Sequence, residues 1–193
     1  MSIETEQLAS AKSTMLTIEE YVEQSTSERD ELIDGEIVEM SHPLFPHGLI
    51  AFRAASIFDR WVRQYGGQFG MNDGIVLDDH NLRAPDAYLI SAESFSEAPL
   101  RAGYWNVPLL VSVEVVSPNE RWADIARKMA GFFAAGTVEY WLIEYELRQV
   151  RVFTSVDESQ TGHIGQPIPT AALRSLDAQV DELFEGIDRS SRN

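Results

Sequence analysis

Leu109-Leu110-Val111-Ser112-Val113-Glu114-Val115-Val116 is the stretch that decides the fold. Six of its eight residues are apolar, and a run this continuously apolar is typical of an interior strand that is covered on both faces. Ser117-Pro118-Asn119 ends the run, and apolar residues then recur at helical spacing from Trp122 up to Gly136. The sequence therefore predicts a central strand over 109–116 that leads directly into a helix at about 121–135.

The flanking segments predict further strands and helices. Thr17, three residues before Glu20, indicates a capped helix start, and Asp34-Gly35 indicates a two-residue hairpin turn. Apolar residues at helical spacing from Ile50 to Tyr65 predict the longest helix, in which Trp61 lies on the apolar face. The remaining predicted elements are strands at 68–71, 74–77 and 86–90, a hairpin of 138–143 with 149–153, and a shorter helix near 176–184.

Length and composition indicate one globular domain. The chain has 193 residues, of which 44% are hydrophobic. We expect a disordered leader over 1–14, a domain over 15–187 and a polar tail over 188–193. The absence of cysteine excludes disulfides, thiolate zinc sites and cysteine nucleophiles. Neither a membrane-spanning run nor a signal-peptide core is present, so we expect a cytoplasmic protein without a membrane partner.

The charge balance is strongly acidic. Asp and Glu total 31 against 15 Lys and Arg, which gives a formal net charge of −16. Such a chain repels phosphate polymers at long range, and this argues against strong nonspecific binding of nucleic acid. Local charges still act, because screening limits each group to about 8 Å at physiological salt. Only Lys12 and Lys128 are lysines, and the other thirteen basic residues are arginines.

Glu114 and Asp86 are candidate metal ligands. A carboxylate in the middle of a buried strand costs several kcal/mol unless a cation or good donors replace its water. For Glu114 the compensating group is either an arginine or a divalent metal, which takes oxygen ligands. Asp86 follows Pro85 at a strand start, where it either caps a turn or joins Glu114 in holding Mg²⁺ or Mn²⁺.

Lys128 lies four residues after Asp124 on the predicted helix. One interpretation is an exposed pair on the helix surface, which contributes only a few tenths of a kcal/mol. The other is a functional ammonium, because lysine is a compact charge that orients water or meets charge developing on a phosphate. No phosphate-binding glycine loop, nucleophile elbow or zinc motif is present.

Several motifs together carry a family resemblance. They are Glu31-Leu-Ile-Asp-Gly-Glu36, His47 at the start of the long helix, Ala84-Pro85-Asp86, Val113-Glu114-Val-Val-Ser117-Pro118, Asp124 with Lys128, and Gly136-Thr-Val-Glu-Tyr140-Trp141-Leu-Ile. In this order, over about residues 15 to 155, the chain resembles the Uma-type restriction-endonuclease-like family, a bacterial branch of the PD-(D/E)XK nucleases. The resemblance implies an α/β fold, with a mixed β-sheet flanked by helices in a single domain.

The resemblance also implies residue roles. Asp86 and Glu114 would bind Mg²⁺ or Mn²⁺, and Lys128 would be the basic member of the catalytic group. The superfamily pattern places that lysine two residues after the acid, where this chain has Val116, so Lys128 must reach the site from the helix. Glu31 would be a further catalytic residue, as a metal ligand or a water-positioning group, or else a solvated strand glutamate, with Glu36 as the competing candidate.

The expected function is a Mg²⁺-dependent endonuclease that hydrolyses phosphodiester bonds, with DNA as its partner. The alternative is a catalytically inactive or regulatory binding module of the same fold. His47 either packs locally or contacts a phosphate or proton, and Arg53, Arg60 and Arg63 either face solvent or touch a phosphate backbone. The resemblance also implies a homodimer.

Overall fold

The computed structural model describes residues 15–27, 29–42, 45–97, 100–116 and 120–187. The predictions of a leader over 1–14, a strand break at 117–119 and a tail over 188–193 lie outside these residues. The helices of the described part are α1 (Ile18–Gln24), α2 (His47–Tyr65), α3 (Ala92–Ser96), α4 (Trp122–Ala134) and α5 (Val180–Leu183). None of these helices is long and apolar enough to cross a membrane.

Two six-stranded sheets organise the described part of the chain. Their strands are β1 (Asp30–Ile33), β2 (Glu36–Glu39), β3 (Gln68–Gly70), β4 (Ile75–Asp78), β5 (Asn81–Arg83), β6 (Ala87–Ile90), β7 (Leu100–Arg101), β8 (Tyr104–Trp105), β9 (Val111–Val116), β10 (Glu139–Glu144), β11 (Gln149–Phe153) and β12 (Ser159–His163). The central sheet has the order β12-β11-β10-β9-β6-β3, and the peripheral sheet has the order β2-β1-β5-β4-β8-β7.

Strand β9 lies inside the central sheet, as its apolar run predicts. It pairs parallel to β10 and antiparallel to β6. Val111, Val113 and Val115 pack in the core that contains α2, whereas the core on the other face contains α4. Because successive side chains of a strand alternate between faces, Glu114 points toward α4. The predicted α/β class, a mixed sheet flanked by helices, is confirmed.

Local signals in the sequence account for several element boundaries. The Thr17 and Glu20 side chains form a capping box at the start of α1. Asp34 and Gly35 both have positive φ, at 50° and 77°, which is the conformation of a type I′ hairpin turn between β1 and β2. Helix α2 ends at Gly66, which also has a positive φ.

The sequence did not indicate the second sheet. Strands β5, β7 and β8 have only two or three residues each, so no alternating pattern reveals them. The helix predicted near 176–184 is also shorter than expected, because only Val180–Leu183 is helical. The chain before α5 is joined to the central sheet by a buried carboxylate on β10, which bonds to residues 170–172.

That carboxylate belongs to Glu139, whose exposed fraction is 1%. It accepts hydrogen bonds from Trp141 Nε1 at 3.0 Å and Thr170 Oγ1 at 2.7 Å, and from the backbone N–H groups of Ala171 and Ala172 at 2.7 and 2.9 Å. Four donors therefore replace the water that the buried charge has lost. Glu139 fastens the segment after β12 to the central sheet.

We expect Glu139→Gln to lower the free energy of unfolding by about 3 kcal/mol, because a glutamine amide group would place N–H groups against donors. Urea denaturation measures the change. The control is Glu146→Gln at an exposed position, which should shift stability by less than about 0.5 kcal/mol. Equal stability of the two variants would contradict this role of Glu139.

Candidate active site

Charged side chains from both sheets and from α4 meet beside the central strand. This acid–base cluster consists of Glu31 on β1, Arg83 on β5, Asp86 just before β6, Glu114 on β9 and Lys128 on α4. All five are buried. The structure thus brings together Glu31, Asp86, Glu114 and Lys128, the residues that the sequence predicted for the site.

Lys128 is the link between the helix and the strand. Its Nζ donates to Glu114 Oε1 at 2.8 Å and to the carbonyl of Ala84 at 2.9 Å, and it lies 3.8 Å from Glu31 Oε1. Only 8% of its side chain is exposed. The alternative of an exposed pair with Asp124 is wrong, since Asp124 pairs with Arg121 at 2.8 Å.

Glu31, and not Glu36, enters the cluster. Its Oε1 accepts a hydrogen bond from the Ala84 N–H at 2.8 Å, and its Oε2 lies 2.7 Å from Arg83 Nε as an ion pair. Only 3% of the Glu31 side chain is exposed, whereas Glu36 is exposed on the edge strand β2. Glu31 therefore holds Arg83 and the turn that precedes Asp86.

Asp86 lies beside Glu114. The ladder of β6 with β9 ends at the pair of Ala87 with Val113, and Asp86 is the residue just before β6. The Asp86 N–H donates to the Val113 carbonyl at 3.0 Å, and its Oδ2 accepts from the Val115 N–H at 2.7 Å. These bonds attach Asp86 to the two residues that flank Glu114, so the carboxyl groups are close enough for the Asp86 charge to raise the pKa of Glu114.

His47 joins the site from the first turn of α2. Its Nε2 lies 3.1 Å from Asp86 Oδ2, and contact of the ring with a phosphate or a proton in transfer stays a prediction. Burial lowers the pKa of His47, but the hydrogen bond and charge of Asp86 outweigh burial and raise it overall. The ring thus favours the form that donates to Asp86.

The charges of the cluster shift the pKa values of its two central groups. Burial raises the pKa of Glu114 to about 7; the Lys128 charge opposes this rise and the Asp86 charge adds to it. Burial lowers the pKa of Lys128, but the nearby carboxylates outweigh burial, so its pKa is raised. Lys128 therefore stays protonated, and Glu114 is short of compensating positive charge.

Three buried oxygens on this face of the sheet have no hydrogen-bond partner. They are Glu114 Oε2, Ser112 Oγ and Tyr140 Oη. Ser112 and Tyr140 are register partners on β9 and β10. An unpartnered carboxylate oxygen beside a second carboxylate suits a hard divalent cation. The described residues contain no group of three or more His, Asp or Glu side chains arranged as a metal site, so water or substrate oxygens would have to complete the coordination of an ion.

Sequence reasoning missed Arg83, because β5 is too short to be recognised and the arginine is not part of a known spacing. It also placed Trp122 on the buried face of α4, whereas the structure leaves this side chain 51% exposed.

The arginines on α2 face acids: Arg53 lies 3.6 Å from Glu185, and the other two pair with carboxylates as well. These pairs are Arg60 with Glu182 at 2.5 Å and Arg63 with Asp59 at 2.9 Å.

Two flanked sheets with this cluster at the central strand define an α/β protein with a nuclease-like fold. The chain is similar to a crystal structure described as a putative nuclease from Anabaena variabilis, with a TM-score of 0.72 and 19% identity, over 88% of this chain and 97% of that chain. The Uma2 family model, described as putative restriction endonuclease, matches residues 18–181. The chain belongs to this family, which confirms the resemblance. No curated protein matches it.

Metal-free protein should show the raised pKa of Glu114 in its stability. A carboxyl whose pKa is higher in the folded state stabilises the fold below its unfolded value, and this contribution is lost as pH rises through about 7. The wild type should therefore lose free energy of unfolding as pH rises from about 5 to 8, and Glu114→Gln should not. The difference between the two proteins should change in favour of the variant by on the order of 2 kcal/mol over this range. Urea denaturation in chelator measures both profiles.

The control for this measurement is Asp124→Asn, which removes an exposed carboxylate from the same region. Its stability should follow the wild-type dependence on pH. Parallel profiles for Glu114→Gln and the wild type would show that Glu114 does not titrate in this range.

Proposed function

We propose that this protein is a Mg²⁺- or Mn²⁺-dependent endonuclease that hydrolyses phosphodiester bonds in DNA. The observation that carries the proposal is the placement of Asp86 beside Glu114, through its bonds to Val113 and Val115, with one unpartnered Glu114 oxygen and Lys128 in contact. The family description supports the class of reaction. DNA as substrate and the identity of the ion rest on the same resemblance.

The carboxylates of Asp86 and Glu114 would hold the ion. When bound there, a divalent metal lowers the pKa of a water molecule and neutralises charge on the scissile phosphate. Asp86 keeps its orientation through the Val115 N–H and His47, both of which contact Oδ2. Its other oxygen would then be the one that contacts the ion.

Lys128 supplies a positive charge on the same side. Two of its three donors are engaged by Glu114 and by the Ala84 carbonyl. The third has no hydrogen-bond acceptor in the described part of the chain, where the next carboxylate, Glu31, is 3.8 Å from Nζ, and it could donate to a water or phosphate oxygen. An ammonium held in this way stabilises charge that grows in the transition state.

Glu31 and Arg83 position the rest of the cluster. Glu31 holds the Ala84 backbone and adds negative charge that keeps Lys128 protonated. Arg83 neutralises Glu31 in turn. With this arrangement, Glu31 assists catalysis by fixing the lysine and not by contacting the metal.

The second candidate is a binding module of the same fold that does not cleave its partner. The observation that favours it is the limited access to the cluster, since the side chains of His47, Asp86, Glu114 and Lys128 are only 8–14% exposed. Such a module would retain the cluster as a structural ion-pair network. The homodimer implied by the resemblance stays a prediction for either function.

Metal binding is the first test. Asp86→Asn and Glu114→Gln should each weaken Mn²⁺ binding by more than about tenfold, because even outer partners of a metal site have effects of that size. Isothermal titration calorimetry measures the affinities. Asp124→Asn is the matched control and should bind as the wild type does. Unchanged affinity in both site variants would place the metal elsewhere.

Cleavage is the second test. Lys128→Met should reduce metal-dependent cleavage of DNA by at least about a hundredfold, because it removes a donor for transition-state charge. Lys128→Arg should restore little of the cleavage, since the planar guanidinium presents its donors differently. Urea denaturation must show that each variant is folded, as the lost ion pair is buried. A wild type that binds Mn²⁺ and DNA without cleaving would favour the binding module.

A further inference from the structure

Trp122 is an exposed aromatic side chain at the start of α4. Its exposed fraction is 51%, whereas Trp141 is fully buried and Trp61 and Trp105 are partly buried. Leaving half of an indole in water forfeits a large amount of favourable apolar burial. An exposed tryptophan is therefore a place to look for a ligand.

Arg151 and Phe153 support this indole from the sheet. The Arg151 guanidinium lies 5.9 Å from the Trp122 ring centre and 5.8 Å from that of Phe153. The Trp122 and Phe153 ring centres are 6.3 Å apart. We call these three residues the indole platform. The indole contacts both of these side chains, which β11 carries, and still leaves 51% of Trp122 exposed.

The platform lies in line with the acid–base cluster. Glu114 on β9 is the register partner of Leu142 on β10, and Leu142 is the partner of Arg151 on β11. Neighbouring strands are about 4.8 Å apart, so Arg151 lies about 10 Å from Glu114 along one row of the sheet. A nucleic-acid strand with one phosphate at the acid–base cluster can therefore reach Trp122 with a neighbouring base.

The charge of the chain makes stacking the more effective source of affinity. The net charge is −16, and both arginines beside the indole are paired with acids, Arg121 with Asp124 and Arg151 with Glu144. Binding through phosphate contacts is weak for such a surface. Stacking of a base on an aromatic ring needs no excess positive charge, and every base has a face that can stack.

We propose that the indole platform binds an unpaired nucleobase next to the scissile phosphate, so that the substrate is single-stranded, or locally unpaired, at this point. The inference rests on the proposed nuclease function and adds the state of the nucleic acid to it. A base in a duplex has both faces covered by its neighbours and cannot stack on Trp122 without leaving the helix.

The experiment is a titration of the metal-free full chain, in chelator, with a short single-stranded oligothymidylate. Tryptophan fluorescence should be quenched on binding, because Trp122 is the tryptophan that a base can cover. Trp122→Leu should lose the quenching and weaken binding by about 5- to 100-fold, measured by the anisotropy of a labelled oligonucleotide. Trp122→Tyr should retain most of the affinity, since it keeps an aromatic face.

Phe52→Leu is the matched control. Phe52 is 53% exposed but lies on α2, which packs on the opposite face of the central sheet, so this variant should bind as the wild type does. An abasic oligonucleotide of the same length separates stacking from phosphate contacts. It should bind more weakly than the oligothymidylate and cause no quenching.

Three results would overturn the platform: equal affinity of Trp122→Leu and the wild type, equal binding of the abasic strand, or tighter binding of a duplex than of the single strand. Absence of binding by the wild type would also overturn it. The cleavage test is independent of this measurement. A wild type that cleaves DNA without using Trp122 contradicts the platform alone, whereas one that binds through Trp122 but never cleaves contradicts the nuclease function alone.

Discussion

The ion pair between Glu114 and Lys128 is the interaction on which the rest of the site depends. It joins the central strand to α4, and through Glu31 and the Ala84 carbonyl it also joins the peripheral sheet. A buried ion pair of this kind contributes little net stability, because the desolvation of both charges offsets their attraction. The catalytic role that we propose for Lys128 would account for a charged pair at this place in the core. Removal of Lys128 would leave the Glu114 carboxylate beside Asp86 without its paired cation.

The parts of the fold that the sequence predicted are those determined by local patterns. The central strand, the capping box at Thr17 and the Asp34-Gly35 turn each depend on residues close together in the chain. The peripheral sheet was not predicted, since its strands β5, β7 and β8 are defined by distant partners and are too short to show alternation. The chain before α5 is likewise held by a distant residue, Glu139, which accepts hydrogen bonds from the Ala171 and Ala172 N–H groups.

The site follows the same division between local and distant determinants. A carboxylate inside an apolar run was enough to single out Glu114, but the spacing in sequence could not show that Asp86 would lie beside it. That neighbourhood follows from the pairing of β6 with β9 and from the bonds of Asp86 to Val113 and Val115. The partner of Lys128 was also unpredictable, because Asp124, four residues earlier on the same helix, and Glu114, on a strand, were both candidates. Arg83 was missed because β5, the strand that carries it, is too short to be recognised from its sequence.

An acidic chain can bind a phosphate substrate because its net charge and the charges of the cluster act over different distances. Net charge governs the approach of a polyanion, and it is screened beyond about 8 Å at physiological salt. Chemistry at the cluster depends instead on the few groups within that distance, where Lys128 and Arg83 nearly balance Glu31, Asp86 and Glu114. The arginines of α2 are neutralised by acids. With a net charge of −16 and the α2 arginines paired with acids, a nucleic acid would have to be held largely by short-range contacts, and stacking on Trp122 is the contact that we propose.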